Sequence, residues 1–268
     1  MIKKKFFGQH FLRDESVVEA IIEAANLDSS VSVLEIGPGD GALTARLVER
    51  ALRVVSIDID ADAIDATRKN VQSDKLELIE QDVLAFKDED IKRLFHDEPY
   101  TLIGNLPYNI TSKILQKFIG ISHKPDVAII MVQKEVADRL SAKRGDMSLL
   151  GLVVQLSATV RHVINVPRDA FSPPPKVDSA VVKLDFNTEE DNHARGVKDV
   201  EKIIRFAKVA FASKRKQMRS TIGSLPDINV DALESALKKL GFPPTARPEE
   251  LSVGDWIAFY NLLHQNCV

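Results

Sequence analysis

Five short apolar runs, each placed between stretches with helical spacing, restrict what this chain can fold into more than any other feature. The runs cover residues 31–36, 53–57, 76–79, 100–104 and 127–132. Their length and near-continuous apolar character match strands covered on both faces. Helical segments are expected over 42–50, 61–71 and 134–140, so strand and helix alternate along the first half of the chain. That alternation predicts an α/β fold with a mostly parallel, doubly wound sheet, whose ligands sit beyond the strand C-termini. Ahead of the first run, Val17, Val18, Ile21, Ile22 and Ala25 recur at helical spacing with Asp14 as N-cap, which predicts a covering helix over 14–25. Farther on, a helix to about Ser157 and a strand over 160–166 are expected. The proline-rich stretch 171–176 reads as a stiff loop before an alternating strand over 177–186. Beyond it, residues 188–193 are polar enough for a linker, and the remainder carries only helical signals. The expected organisation is a sheet domain over 1–187 and a small all-helical domain over 188–268.

Composition narrows the function classes. No run approaches the ~18 consecutive apolar residues of a spanning helix, and the basic opening Met1-Ile2-Lys3-Lys4-Lys5 has no signal-peptide apolar region behind it. No membrane association and a cytoplasmic location are expected. The single Cys267 has no disulfide partner and the six His residues are scattered, so no metal is expected. A net charge of −3 is a weak argument against nucleic acid, because the placement of charge matters more than its sum.

The chemistry lies at the predicted strand ends. After the first run comes Gly37-Pro38-Gly39-Asp40-Gly41, where Gly37 and Gly39 let the backbone approach a ligand and bare the following helix N-terminus. The spacing is not that of a dinucleotide site, and Glu35 and Asp40 would repel a pyrophosphate, so a dehydrogenase reading fails and a cationic, nucleoside-like ligand fits better. Asp58, 21 residues beyond Gly37, ends the second run and can accept both hydroxyls of a ribose. Asp82 follows the third run, where it can accept an adenine amino hydrogen or serve only as an N-cap. The aromatic opening around Phe6, Phe7, Gln9, His10 and Phe11 reads as a segment that folds over a ligand rather than as a frayed end.

Asn105-Leu106-Pro107-Tyr108, after the fourth run, is the most specific cluster. A strand end with a proline turn would account for it structurally. Chemically, the Asn105 amide oxygen and the carbonyl of Leu106 or Pro107 can accept both hydrogens of an aromatic amine while Tyr108 stacks on its ring. With both hydrogens held, the nitrogen lone pair faces an electrophile. A concentrated basic run, Lys208, Lys214, Arg215, Lys216 and Arg219, has no acid anywhere between Phe206 and Ile222, which favours phosphate contact over a solvated helix face.

These motifs, in this order, resemble the ribosomal RNA adenine N6,N6-dimethyltransferase family, most of all its small-subunit branch. The likeness runs through Phe7-Gly8-Gln9-His10-Phe11-Leu12, residues 35–41, residues 105–108, and Gln133-Lys134-Glu135-Val136-Ala137-Asp138-Arg139-Leu140. It continues through residues 171–180 and Ala210-Phe211-Ala212-Ser213-Lys214-Arg215-Lys216. The resemblance implies a Rossmann-like methyltransferase sheet and four methyl transfers from S-adenosylmethionine to two adjacent adenines near the 3′ end of small-subunit ribosomal RNA, within a pre-ribosomal small subunit. It implies donor contacts from Gln9, His10, Leu12, Gly37, Gly39, Asp58, Asp82 and Asn105. Many family members have Asn in place of His10 and Glu in place of Asp58. Alignment and desolvation then carry the reaction, with no strong base. The target adenine leaves its stack; Tyr108 and Phe171 enclose it, while Asn105 and the Pro107 carbonyl hold its amine. The chain is expected to act as a monomer. A large-subunit methylase of the macrolide-resistance type, a DNA adenine methylase, and a non-catalytic assembly or transcription factor on the same fold are the competing readings.

Overall fold

In the computed structural model, which describes residues 10–213 and 216–264, the first half of the chain alternates as expected. A short strand β1 (Phe11–Leu12) and helix α1 (Glu15–Ala25) lead into β2 (Ser32–Ile36), α2 (Ala42–Arg50), β3 (Arg53–Asp58), α3 (Ala61–Asn70) and β4 (Leu76–Glu80). Then follow α4 (Asp88–Phe95), β5 (Tyr100–Asn105), α5 (Thr111–Gly120), β6 (Val127–Gln133), α6 (Lys134–Leu140), α7 (Leu149–Ser157), β7 (Ala158–Val166), β8 (Phe171–Ser172) and β9 (Ser179–Phe186). Helices α8 (Glu189–Ala194), α9 (Val200–Phe211), α10 (Met218–Thr221), α11 (Val230–Lys239) and α12 (Val253–His264) complete it.

The sheet has seven strands in the order β4-β3-β2-β5-β6-β9-β7, with β1 and β8 paired separately. Strands β4, β3, β2, β5 and β6 are mutually parallel, and β9 returns antiparallel to β6. From β2 the chain winds outward through β3 and β4, then crosses back to β5 and winds the other way. The order therefore reverses between β2 and β5, and their C-terminal ends open the crevice in which doubly wound sheets bind ligands. Gly37 follows one of these strands and Asn105 ends the other. The two strands approach closely there, since a Cβ on Gly104 would lie 2.6 Å from the Ile36 carbonyl oxygen.

Burial explains the strands. Val33, Leu34, Val54, Val55, Leu102, Ile103, Ile129 and Ile130 are at most 1% exposed, as double-sided coverage requires. Helix α1 starts where Asp14 accepts the Ser16 N–H at 2.9 Å, and it buries Val17, Val18, Ile21, Ile22 and Ala25 against the sheet core.

The chain divides into two compact units, one from residues up to 137 together with 159–186, the other from 138–158 together with 187 onward. The single cut expected at 187 misses the segment 138–158. Leu152 and Leu156 of α7 pack with Ile203, Phe206, Ile222, Leu237 and Trp256 in the helical unit's core, a long-range choice that local sequence does not encode. The stretch read as a linker is helix α8, whose first turn is closed by a capping box between Thr188 and Asp191. The strand expected from 177 begins at Ser179. No helix among the described residues is long and apolar enough to cross a membrane.

Candidate active site

Asn105 ends β5 beside the glycine turn after β2. Its amide Nδ2 donates to the His10 carbonyl at 3.3 Å, which turns Oδ1 away from that bond; among the described residues nothing donates to Oδ1. The next residue, Leu106, is anchored by its N–H to the Met131 carbonyl at 3.1 Å and is buried. Pro107 is exposed, but its carbonyl accepts the Ile110 N–H at 3.1 Å and the Thr111 hydroxyl at 3.0 Å. Those two bonds engage the Pro107 oxygen in the turn that starts α5. Tyr108 bonds through its hydroxyl to Ser179 Oγ at 2.6 Å, and its ring stacks with His10, centroids 6.3 Å apart and planes at 25°. Burial pushes the Tyr108 hydroxyl above its ordinary pKa, so the group stays neutral and keeps that bond.

On the neighbouring strand end, Gly37 has φ +76°, which favours glycine, and a Cβ there would sit 3.4 Å from the Asn105 carbonyl oxygen. Glu35, 1% exposed, accepts the Thr44 hydroxyl at 2.7 Å and the Ser56 hydroxyl through Oε2, whereas Oε1 is buried with no partner among the described residues. Burial, reinforced by nearby Asp58, pushes its pKa up to about 7 despite those two bonds. Asp58 accepts the Asp60 N–H at 2.9 Å through Oδ1, and burial raises its pKa as well. Beside it, Ile59 is 53% exposed and offers apolar surface at the sheet edge. Asp82 caps a single turn of 3-10 helix, Val83–Ala85, by accepting the Leu84 N–H at 2.9 Å, so the capping role is present whatever else its second oxygen does.

The N-terminal strand joins the two ends. Phe11 pairs with Ser172 and Leu12 with Phe171, while the Arg13 N–H reaches the Ala170 carbonyl at 2.8 Å. On the other side, the Phe11 ring lies 3.3 Å from where a Gly39 Cβ would be, and Arg13 pairs with Asp40 at 2.6 Å. His10 reaches the Pro173 carbonyl through Nδ1 at 2.7 Å. Gln9 lies outside the described residues. Phe171 is 3% exposed and belongs to the sheet core, against which Leu12 packs. Sequence reasoning missed Ser179 and Arg13, whose parts depend on partners distant in the chain, and Ile59, which offers only exposed apolar surface.

The basic run is divided. Lys208 and Lys216 are exposed, Arg219 pairs with Glu234 of α11 at 3.5 Å, and Lys214 and Arg215 lie outside the described residues. The absence of acids along the run did not reveal this counter-charge, which a different helix supplies.

A family model described as ribosomal RNA adenine dimethylase matches residues 2–265. The chain belongs to that family. It is 39% identical over 254 residues to ribosomal RNA small subunit methyltransferase A of Dehalococcoides mccartyi, covering 94% of this chain and 86% of that one. The corresponding protein of a Nostoc species is 35% identical over 270 residues, with 97% of each covered. Among solved structures, a dimethyladenosine transferase from Plasmodium falciparum superposes with a TM-score of 0.75 at 29% identity, covering 93% of this chain and 96% of that one. The 23S rRNA methyltransferase ErmE gives 0.76 at 26%, covering 95% and 100%. The family's methyl donor is S-adenosylmethionine, and the crevice suits it. Bare backbone at Gly37 leaves room for a ligand, the Asp58 carboxyl at the next strand end can accept from a sugar hydroxyl, and the nearby Arg13 is paired with Asp40 rather than left as a free cation beside a positively charged donor.

Proposed function

We propose that this protein dimethylates N6 of two adjacent adenines near the 3′ end of small-subunit ribosomal RNA, in four transfers. It acts as a cytoplasmic monomer on RNA already within a pre-ribosomal small subunit. The observation that carries the reading is the placement of Asn105: its amide oxygen is open for an amine, at the strand crossing point, within a residue of Gly37 and next to the anchored Tyr108. The small-subunit choice is supported by curated relatives at 33–39% identity, all named ribosomal RNA small subunit methyltransferase A.

In this reading Gly37, Gly39, Asp58 and Asp82 hold the donor, with His10 and Leu12 from the N-terminal strand and Gln9 next to them. S-adenosylmethionine supplies a sulfonium methyl, an electrophile strong enough that alignment matters more than a base. Asn105 Oδ1 and the Leu106 carbonyl accept the amine hydrogens, Leu106 replacing Pro107 because the latter's oxygen is engaged. Tyr108 stacks on the extruded adenine. Phe171 supports the crevice from within the core by packing on Leu12. Lys208, Lys214, Arg215 and Lys216 contact RNA phosphates, with Arg219 weakened by its ion pair.

The test is incubation of undermethylated small subunits with labelled S-adenosylmethionine, followed by nucleoside mapping. Dimethyladenosine at two neighbouring positions of small-subunit RNA is expected. Label confined to large-subunit RNA, or no label at all, would overturn the proposal.

A further inference from the structure

Next to the Tyr108 anchor lies a second cleft, of about 390 Å³, to which neither Asn105 nor the glycine turn contributes. That volume falls within the roughly 300–1,000 Å³ typical of small-molecule sites. Its position relative to Tyr108 follows from the sheet. Gln133, in its wall, is the antiparallel partner of Ser179, whose hydroxyl holds Tyr108. Directly opposed residues project from the same sheet face with Cα atoms ~4.5–5.5 Å apart. Gln133 therefore stands on the same side as the Tyr108 anchor, one strand spacing away.

The lining suits a nucleotide. Gln133 offers an amide, which presents donor and acceptor together, as recognition of an adenine edge requires. Val177, 45% exposed, gives apolar surface for a base face. Arg168 and Lys176 are exposed at the rim. Counting Lys134, three cations face the two acids Glu135 and Asp178, and Asp178 already accepts the Arg168 backbone N–H at 3.0 Å. A cleft with a net positive lining, a neutral amide and an apolar patch fits a splayed, single-stranded RNA nucleotide.

We propose that this cleft holds the nucleotide adjacent to the adenine being methylated, with Gln133 reading its base as adenine and Arg168 and Lys176 contacting its phosphates. The subsite rests on the proposed reaction at a pair of neighbouring adenines. It gives the enzyme a way to recognise the pair rather than a single exposed base.

The experiment compares small subunits carrying the native pair with subunits in which one adenine of the pair is replaced by guanine or cytosine, leaving one target. For the unmodified enzyme, kcat/KM at the remaining adenine is expected to fall roughly 5- to 150-fold. Gln133→Ala should methylate native and substituted subunits at one common, lower rate while binding S-adenosylmethionine unchanged. Gln133→Glu should come to favour a cytosine neighbour, whose amine a carboxylate accepts; a gained preference cannot come from misfolding. Arg168→Ala combined with Lys176→Ala should make the salt dependence of subunit binding shallower by up to about two. An enzyme active on the native pair but indifferent to the neighbour overturns the subsite alone, as does full discrimination retained by Gln133→Ala. An enzyme inert on the native pair overturns the proposed reaction and the subsite together.

Discussion

At the end of the crevice proposed for the donor, the half-buried acids Asp58 and Asp82 are tied by their own loops, whereas at the end proposed for the acceptor Asn105 and Tyr108 are held by residues far away in the chain. Asp58 accepts from Asp60 and Asp82 from Leu84, both two residues on. Asn105 depends on His10, 95 residues away, and Tyr108 on Ser179, 71 residues away. Contacts that close within a turn form whenever their loop forms. Contacts across the sheet exist only once the whole unit has assembled, and they are lost first when part of it opens. Donor binding should therefore tolerate perturbation that transfer does not.

The sharpest way to separate the two ends is Asn105→Ala. Transfer should fall more than a hundredfold, the scale of a misplaced reactant. S-adenosylmethionine affinity should stay within about tenfold, because one hydrogen bond contributes only about 0.5–1.5 kcal/mol. Equal losses in calorimetric affinity and in single-turnover rate would erase the distinction between the ends.

Beneath the donor loop, Glu35 allows the comparison to be made by pH. Burial holds its carboxyl protonated up to about pH 7, against 4.5 for an ordinary glutamate. The unfolded chain releases this proton earlier as pH rises, so stability falls between about pH 4.5 and 7, by roughly 3 kcal/mol in total. At lower pH both states are protonated and the penalty vanishes. Glu35→Gln keeps an acceptor for Thr44 and Ser56 but has no charge, so its stability relative to the parent should rise through that window and level off above it. Urea unfolding at pH 5 and pH 8 measures this, and parallel pH profiles for the two proteins would contradict it.

Asp58→Ala should weaken S-adenosylmethionine binding by about 1.5–3 kcal/mol, the range for hydrogen bonds to a charged group, with the rate at saturating donor little changed. Unaltered affinity would reduce Asp58 to a cap for the Asp60 N–H. The smallest effect is expected from Ser179→Ala, which frees the Tyr108 hydroxyl. A loss of about 0.5–1.5 kcal/mol corresponds to a roughly two- to thirteenfold lower turnover, at constant donor affinity. If donor affinity falls instead, the anchor belongs to both ends and the contrast between them is weaker than the bond ranges suggest.

The same contrast explains what could be read from the sequence. The strands expected over 31–36, 53–57 and 100–104 were legible because double-sided burial demands continuous apolar runs, and α1 was legible because Asp14 caps it locally. The glycine turn and Asn105 stood out because few residue types do their chemistry. Illegible were the features that depend on partners distant in the chain. Nothing near residue 171 says that Phe171 pairs with Leu12, and nothing near 219 says that Glu234 neutralises Arg219. The engaged Pro107 carbonyl is a local contact, yet it became visible only once α5 was seen to begin at Thr111.

The bond between the Asn105 amide and the His10 carbonyl carries a kinetic consequence. The His10 carbonyl immediately precedes the two-residue strand that pairs with Phe171 and Ser172, so in the proposed reaction the group that faces the amine is held by the same segment that lies against the glycine turn. Any donor exchange that moves this whole segment would break the bond to Asn105 along with the pairing of Phe11 and Leu12. Along such a route the proposed four transfers would become four separate closures, each re-forming the same contact before the next methyl moves.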